Sequence, residues 1–116
     1  MRNFEKLAEN KNEGYPGISI EQINSLSNIF RNFEKIGSVT LFGSRITGEH
    51  KDNSDLDIAL TGAEGKKLHL SDMYDTIHRL VMEQTGLDVH IKIISEINNP
   101  ALLHSIKDQG VVIYQR

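Results

Sequence analysis

Two pairs of residues in the middle of the chain have the types and spacing that phosphate and metal chemistry requires. Gly43 and Ser44 follow one apolar run, and Asp55 and Asp57 stand at i and i+2 at the start of a second. Because side chains alternate along a strand, both carboxylates would project from the same face. Neighbouring carboxylates repel each other unless a cation lies between them, and Mg²⁺ binds one or two carboxylates together with substrate phosphate oxygens. The spacing therefore predicts a divalent-metal site.

The Gly-Ser pair predicts the other half of such a site. Glycine lets the backbone approach a ligand closely, and free N–H groups at the start of the following helix attract phosphate. We therefore expect Gly43 and Ser44 to hold phosphate groups beside the metal. Arg45 is a further candidate for nucleotide binding, although it could equally be a surface residue or the ion-pair partner of Glu49. Together these residues indicate nucleotide chemistry.

The arrangement Gly-Ser-x10-Asp-x-Asp resembles the signature of the nucleotidyltransferase superfamily related to DNA polymerase beta. Gly48 and Ser54 also stand where small members of that family have them. The short chain is similar to the minimal nucleotidyltransferases, which lack the helical or fingers-like domains of larger relatives. One departure is Thr47, where many small relatives carry a second basic residue, so that Arg45 and Lys51 are the remaining nearby cations.

In this family a third aspartate on a neighbouring strand completes the metal site, and the best match is Asp88 in the apolar run 87–94. An aspartate is unfavourable in a strand, which suggests a functional role. The resemblance implies that Asp55 and Asp57 bind two Mg²⁺ ions and that Asp88 binds the ion activating the attacking hydroxyl. Asp88 could also accept the hydroxyl proton, with ATP as substrate and pyrophosphate as leaving group. No metal role is predicted for four histidines without ligand spacing, His69, His78, His90 and His104.

Composition narrows the class of protein further. The chain has 116 residues, a formal net charge of −3 and no cysteine, so we expect one small domain without disulfides or thiolate zinc sites. No apolar run approaches the length of a membrane span, and the polar N-terminus lacks a signal peptide's apolar centre, which makes the cytoplasm the expected location. Proteins that bind long nucleic acid normally present a basic surface, so this charge favours a nucleotide or a protein acceptor.

The periodicity of the chain predicts the elements that position these residues. Residues 1–18 are expected to form a mobile or short helical arm, and residues 19–116 the nucleotidyltransferase domain. Ser19 and Gln22 form a capping box for a first helix whose apolar spacing continues to Ile36, with Gly37 ending it.

Four strands and three further helices are predicted after that helix. The strands cover 38–42, 55–60, 87–94 and 111–114, and the helices begin at Ser44, near Ser71 and at Pro100. This alternation predicts a small α/β (α+β) domain in which helices flank a mixed sheet, in agreement with the polymerase beta palm-like fold that the resemblance implies.

Three functions are compatible with these features. The first is transfer of AMP, or another NMP, from a nucleoside triphosphate to a protein hydroxyl. Small relatives of this kind are often antitoxins that adenylylate a tyrosine of a helical HEPN-domain toxin. The second is transfer to a small alcohol such as an aminoglycoside, for which a homodimer could supply the acceptor pocket. The third is a non-catalytic module that neutralises a partner by steric contact. The presence of all three aspartates argues against the third function, and the small size of the chain favours the first, because its acceptor would then be supplied from outside.

Overall fold

The structure is a computed structural model that describes residues 2–3 and 14–116. Its helices are α1 (Ile20–Arg31), α2 (Ser44–Thr47), α3 (Leu70–Thr85) and α4 (Pro100–Gln109), with a 3₁₀ turn at Ile94–Glu96. Its strands are β1 (Arg2–Asn3), β2 (Ile36–Phe42), β3 (Leu56–Gly62), β4 (Val89–Ile93) and β5 (Val111–Gln115). Within the described residues, none of the helices combines the length and the apolar character that crossing a bilayer requires.

The strands of the described residues form one mixed sheet in the order β1-β5-β2-β3-β4. β2 runs antiparallel to both β3 and β5, whereas β3 and β4 are parallel, as are β1 and β5. A parallel pair needs a crossover connection, and α3 supplies it between β3 and β4. The small mixed α/β (α+β) architecture expected from the sequence is therefore confirmed.

The two faces of the sheet differ in what covers them. α1 and α3 pack on one face, where Phe30 of α1 and Ile77 of α3 join Ile58 of β3 in the main core. Because side chains alternate along a strand, the next residue of β3, Ala59, points to the opposite face, where it clusters with Ile106 of α4. The face opposite the two long helices is thus only partly covered, and it carries the candidate site.

α1 begins as predicted but ends earlier. Ser19 Oγ accepts a hydrogen bond from the N–H of Gln22 at 3.1 Å, and the N–H of Ser19 donates to Gln22 Oε1 at 2.9 Å. The predicted continuation to Ile36 is wrong, because α1 ends at Arg31 and Ile36 pairs with Gly62 in the sheet. Helical spacing of apolar residues cannot detect such a strand pairing, since the partner is distant in the sequence.

The described residues before α1 pack against the rest of the domain. Ile18 is buried in the main core, and the N–H of Gly17 donates to the carbonyl of Arg45 at 2.7 Å. β1 extends the sheet by pairing with β5. The remainder of the predicted arm, residue 1 and residues 4–13, lies outside the described residues.

Candidate active site

The turn between β2 and α2 accepts only glycine at its first position without displacing a neighbour. Gly43 has a φ of 82°, a region that other residues rarely adopt. A Cβ at this position would also overlap Oδ2 of Asp57. Ser44 follows as the first residue of α2. The turn therefore lies directly against a carboxylate of the neighbouring strand, which brings the two predicted halves of the site together.

Asp57 lies within β3, on the less covered face of the sheet. Its strand neighbours Leu56 and Ile58 are fully buried on the opposite face. Asp55 lies just before β3 and is exposed. The Asp55 carboxylate is close enough to act on the pKa of Asp57, so the two carboxylates lie near each other. The surroundings of Asp57 come from two other strands, because it pairs with Phe42 of β2 and with His90 of β4.

The environment of Asp57 disfavours its charged form. Burial raises the pKa of this carboxyl above its ordinary value of 3.8, and the nearby Asp55 carboxylate acts in the same direction. The charges of His90 and Lys92 and a hydrogen bond from His90 oppose the increase in pKa but do not cancel it. Nδ1 of His90 lies 3.5 Å from Oδ1 of Asp57. A divalent cation beside Asp57 would favour the charged form of this carboxyl.

Asp88, the predicted third carboxylate, is engaged elsewhere. It lies one residue before β4, and its main-chain oxygen accepts a hydrogen bond from the N–H of Leu56 at 2.8 Å. Its carboxylate Oδ1 is 2.9 Å from Nε2 of His78 on α3. Across residues 14–116, no three side chains of histidine, cysteine, aspartate or glutamate form a group that could hold a metal ion. The structure thus brings Asp55 and Asp57 together and pairs Asp88 with His78.

His90 is the residue near the site that the sequence interpretation missed. No metal role is predicted for it, because the histidines show no ligand spacing along the chain. The available signal was its position two residues after Asp88 in a predicted strand, since this spacing places both on one face. What could not be read locally is the register that sets His90 opposite Asp57.

Arg45 supports the site from inside the domain. Its side chain is buried, and its guanidinium donates three hydrogen bonds to main-chain carbonyls. Nε donates to Ser54 at 2.9 Å, Nη1 to Gly17 at 2.8 Å and Nη2 to Asp52 at 3.1 Å. These bonds fasten the loop that leads into Asp55. The geometry therefore favours a positioning role for Arg45 over direct contact with a phosphate.

The alternatives predicted for Arg45 are not what the structure contains. It is not a surface residue, and Glu49 Oε1 accepts a hydrogen bond from Thr47 Oγ1 at 3.1 Å. A second polar contact supports the same loop, because Ser54 Oγ accepts a hydrogen bond from the N–H of Lys51 at 2.8 Å. The loop between the turn and β3 is therefore held by local hydrogen bonds.

The substitution Arg45→Lys is expected to lower the free energy of unfolding by about 2 kcal/mol or more. A lysine cannot reach three separate carbonyls, and a hydrogen bond from a charged donor contributes about 1.5–3 kcal/mol. Urea denaturation measures the change. The control Arg79→Gln removes an exposed arginine whose ion pair with Glu83 spans 3.5 Å, and it should shift stability by less than about 1 kcal/mol. Equal effects of the two substitutions would contradict the positioning role.

Comparison with known proteins identifies the family. Residues 24–116 match the family described as polymerase beta, nucleotidyltransferase. The chain belongs to this family. The matched range of this nucleotidyltransferase includes both the Gly-Ser turn and the paired aspartates. No curated protein sequence is significantly similar to the chain.

Solved toxin–antitoxin structures share the fold of this nucleotidyltransferase. A chain of a toxin–antitoxin complex with AMP-PNP has a TM-score of 0.66 and 22% sequence identity, over 81% of this chain and 73% of that chain. For the MntA–HepT complex the values are 0.60 and 20%, over 82% and 71%. For a tri-AMPylated Shewanella oneidensis HEPN toxin in complex with an MNT antitoxin they are 0.55 and 18%, over 82% and 73%. At these identities the similarity shows the fold alone.

Proposed function

We propose that the chain is a divalent-metal-dependent nucleotidyltransferase that moves AMP from ATP to a tyrosine hydroxyl of a helical HEPN-type protein, as the antitoxin of a toxin–antitoxin pair. The observation that carries the proposal is the contact between the glycine turn and Asp57, next to Asp55. Family membership supplies the class of reaction. The toxin–antitoxin complexes that share the fold support the kind of partner, and one of them contains an AMPylated toxin.

The residues present fit a divalent cation. Asp55 and Asp57 offer neighbouring carboxylate oxygens. Burial, reinforced by the Asp55 carboxylate, raises the pKa of Asp57, so a bound cation would stabilise its charged form. Mg²⁺, the ion that the family resemblance implies, commonly takes one or two carboxylates and completes its shell with substrate phosphate oxygens and water. A set of three protein ligands is therefore not required before the nucleotide binds. Bound ions would neutralise charge on the transferred phosphoryl group and the leaving pyrophosphate.

The residues of the turn would hold the triphosphate. At Gly43 the backbone can approach the terminal phosphates because no side chain intervenes, and the Ser44 hydroxyl would donate a hydrogen bond to one of them. Asp57 is well suited to orient this end of the nucleotide through a cation. Its side chain is only 25% exposed, and a poorly hydrated charge interacts more strongly than a solvated one.

In the proposed reaction, the tyrosine oxygen forms a bond to the α-phosphorus of ATP and the bond from that phosphorus to pyrophosphate breaks. The hydroxyl proton passes to a carboxylate or to water. The family resemblance implies Asp88 as the acceptor, and in that role its carboxylate would have to leave the pairing with His78. A tyrosine suits this chemistry because its phenol, with a pKa of about 10, ionises more readily than an aliphatic hydroxyl.

Incubation of the chain with ATP, Mg²⁺, Mn²⁺ and the HEPN-type protein of a neighbouring gene is expected to add AMP to that protein. Intact mass spectrometry detects each added AMP unit, and peptide sequencing identifies the modified tyrosine. Asp55→Asn should abolish the addition because it removes a carboxylate from the cation site. The matched control Asp75→Asn changes an exposed aspartate of α3 and should leave transfer unchanged.

A particular result would contradict transfer to a protein partner. If the mass of the HEPN-type protein is unchanged, yet both the native chain and Asp55→Asn neutralise it, the chain acts by steric contact. Transfer to an aminoglycoside in place of the protein would instead support the small-molecule reaction.

A further inference from the structure

The pairing of β3 with β4 places an imidazole where the sequence predicts a third carboxylate. His90 is the direct partner of Asp57 in the parallel register, so their side chains emerge from the same face of the sheet. Its Nδ1 lies 3.5 Å from Oδ1 of Asp57. The His90 side chain is 57% exposed, which leaves it free to rotate towards a ligand. β3 and β4 are hydrogen-bonded neighbours in the sheet, so no other strand separates this pair.

The distance between the two atoms suits two ligands of one metal ion. Metal–nitrogen and metal–oxygen bonds are about 2.0–2.1 Å long, so adjacent ligands of an octahedral ion are about 3 Å apart. The observed distance between His90 Nδ1 and Asp57 Oδ1 is 3.5 Å. A small rotation of either side chain would shorten it to the separation that two adjacent ligands need. Both groups can therefore bind the same ion without rearrangement of the strands.

The other candidates for a third ligand are less suitable. The Asp88 carboxylate lies 2.9 Å from His78 on α3, and it would have to give up this contact to turn towards Asp57. Lys92 lies on the same face as His90 and its charge acts on Asp57. A protonated lysine has no lone pair to donate, so it cannot bind a cation.

Building on the proposed function, we propose that His90, and not Asp88, completes the metal site with Asp57, so that the site selects a first-row transition ion such as Mn²⁺ over Mg²⁺. Imidazole nitrogen binds transition ions well, whereas Mg²⁺ prefers oxygen ligands and retains its water. Asp57, Asp55 and the nucleotide phosphates would supply the oxygen ligands, so three protein side chains need not be grouped around the ion before the nucleotide binds. The cofactor of this chain would then differ from the Mg²⁺ that the family resemblance implies.

Pulsed electron paramagnetic resonance on the full chain with Mn²⁺ and AMP-PNP tests this assignment. Labelling the histidines with ¹⁵N distinguishes an imidazole ligand from the adenine nitrogens of the nucleotide. We expect a directly bound ¹⁵N signal that is lost in His90→Ala and kept in His78→Ala and His104→Ala. His104 lies exposed on α4 and His78 pairs with Asp88, so these variants are matched controls.

Metal affinity gives a second readout that does not depend on catalysis. Calorimetry of the nucleotide-bound chain should show that His90→Asp shifts the ratio of Mn²⁺ to Mg²⁺ affinity towards Mg²⁺ by about tenfold or more, since even partners that only orient a ligand change metal affinity by 10–100-fold. Far-ultraviolet circular dichroism verifies folding, and His90→Gln replaces His90→Ala if that variant fails this check.

The outcomes separate this inference from the proposed function. Mn²⁺ that binds with AMP-PNP but shows no histidine signal would overturn the role of His90 and leave nucleotidyl transfer intact. A signal that survives His90→Ala, or an unchanged affinity ratio in His90→Asp, would overturn the role as well. If neither Mn²⁺ nor Mg²⁺ binds to the native chain with nucleotide, both the inference and the metal-dependent function are wrong.

Discussion

Replacement of Asp57 by asparagine is expected to abolish nucleotidyl transfer and to make the metal-free protein more stable at neutral pH. Transfer should fall by at least about 10²–10³-fold, the scale seen when a group that stabilises transition-state charge is removed. Stability should rise because burial, reinforced by the Asp55 carboxylate, raises the pKa of Asp57, so that its ionisation opposes folding. The same substitution therefore has opposite effects on function and on stability.

The stability gain of Asp57→Asn should depend on pH, because it comes from the ionisation of Asp57. Since the folded-state pKa of Asp57 lies above its ordinary value of 3.8, the native carboxyl favours folding most below pH 3.8. That contribution is lost as the pH rises through the folded-state pKa. Thermal denaturation in a chelator should thus show the advantage of Asp57→Asn at pH 7, with a smaller difference below pH 3.8.

Asp55→Asn is the matched comparison for Asp57→Asn. Asp55 is exposed, so its loss should remove transfer without the same gain in thermal stability. An Asp57→Asn protein that transfers AMP at the native rate would contradict the catalytic assignment. A melting temperature of Asp57→Asn below that of the native protein at pH 7 would contradict the electrostatic explanation of its stability.

Gly43→Ala is expected to reduce transfer by about 10²-fold, because displacing a catalytic group by about 1 Å has effects of this size. The added Cβ would overlap Oδ2 of Asp57 and push the carboxylate or the turn out of place. The positive φ at Gly43 adds strain of about 1–3 kcal/mol for any other residue. Steady-state kinetics and urea denaturation measure the two effects separately.

The control Gly65→Ala distinguishes backbone strain from the steric overlap with Asp57. Gly65 has a φ of 72°, and an added Cβ would meet nothing within 4 Å. This control should lose stability as Gly43→Ala does but keep transfer, because it changes no contact at the site. Equal rates for the two variants would show that close approach of the Gly43 turn to Asp57 is not needed for the reaction.

What could be predicted from the sequence depends on how local the determining interactions are. The start of α1 follows from the Ser19 cap, and this prediction is confirmed. The shared face of Asp55 and Asp57 follows from strand periodicity and stays a prediction, because Asp55 lies just before β3. The end of α1 was predicted wrongly because Ile36 is claimed by a strand pairing with Gly62. Elements set by neighbouring residues are visible in the sequence, whereas elements set by distant partners are not.

The candidate site shows the same division. The Gly-Ser turn and the paired aspartates form a short local pattern that could be recognised directly. The approach of His90 to Asp57 depends on the β3–β4 register, and the burial of Arg45 depends on carbonyls at Gly17 and Ser54. Nothing about an arginine after Gly-Ser distinguishes a phosphate ligand from a buried support, since both use the same donor groups.

The hydrogen bond from Arg45 to the carbonyl of Gly17 shows that the candidate site depends on residues before the family match. The family match starts at residue 24, yet the loop that leads into Asp55 is fastened through a residue upstream of that point. A fragment cut at the start of the match would leave a guanidinium nitrogen buried without its acceptor, and would also remove the Ser19 cap of α1. A protein engineered to carry this site would therefore need the short segment before α1 in addition to the motif itself.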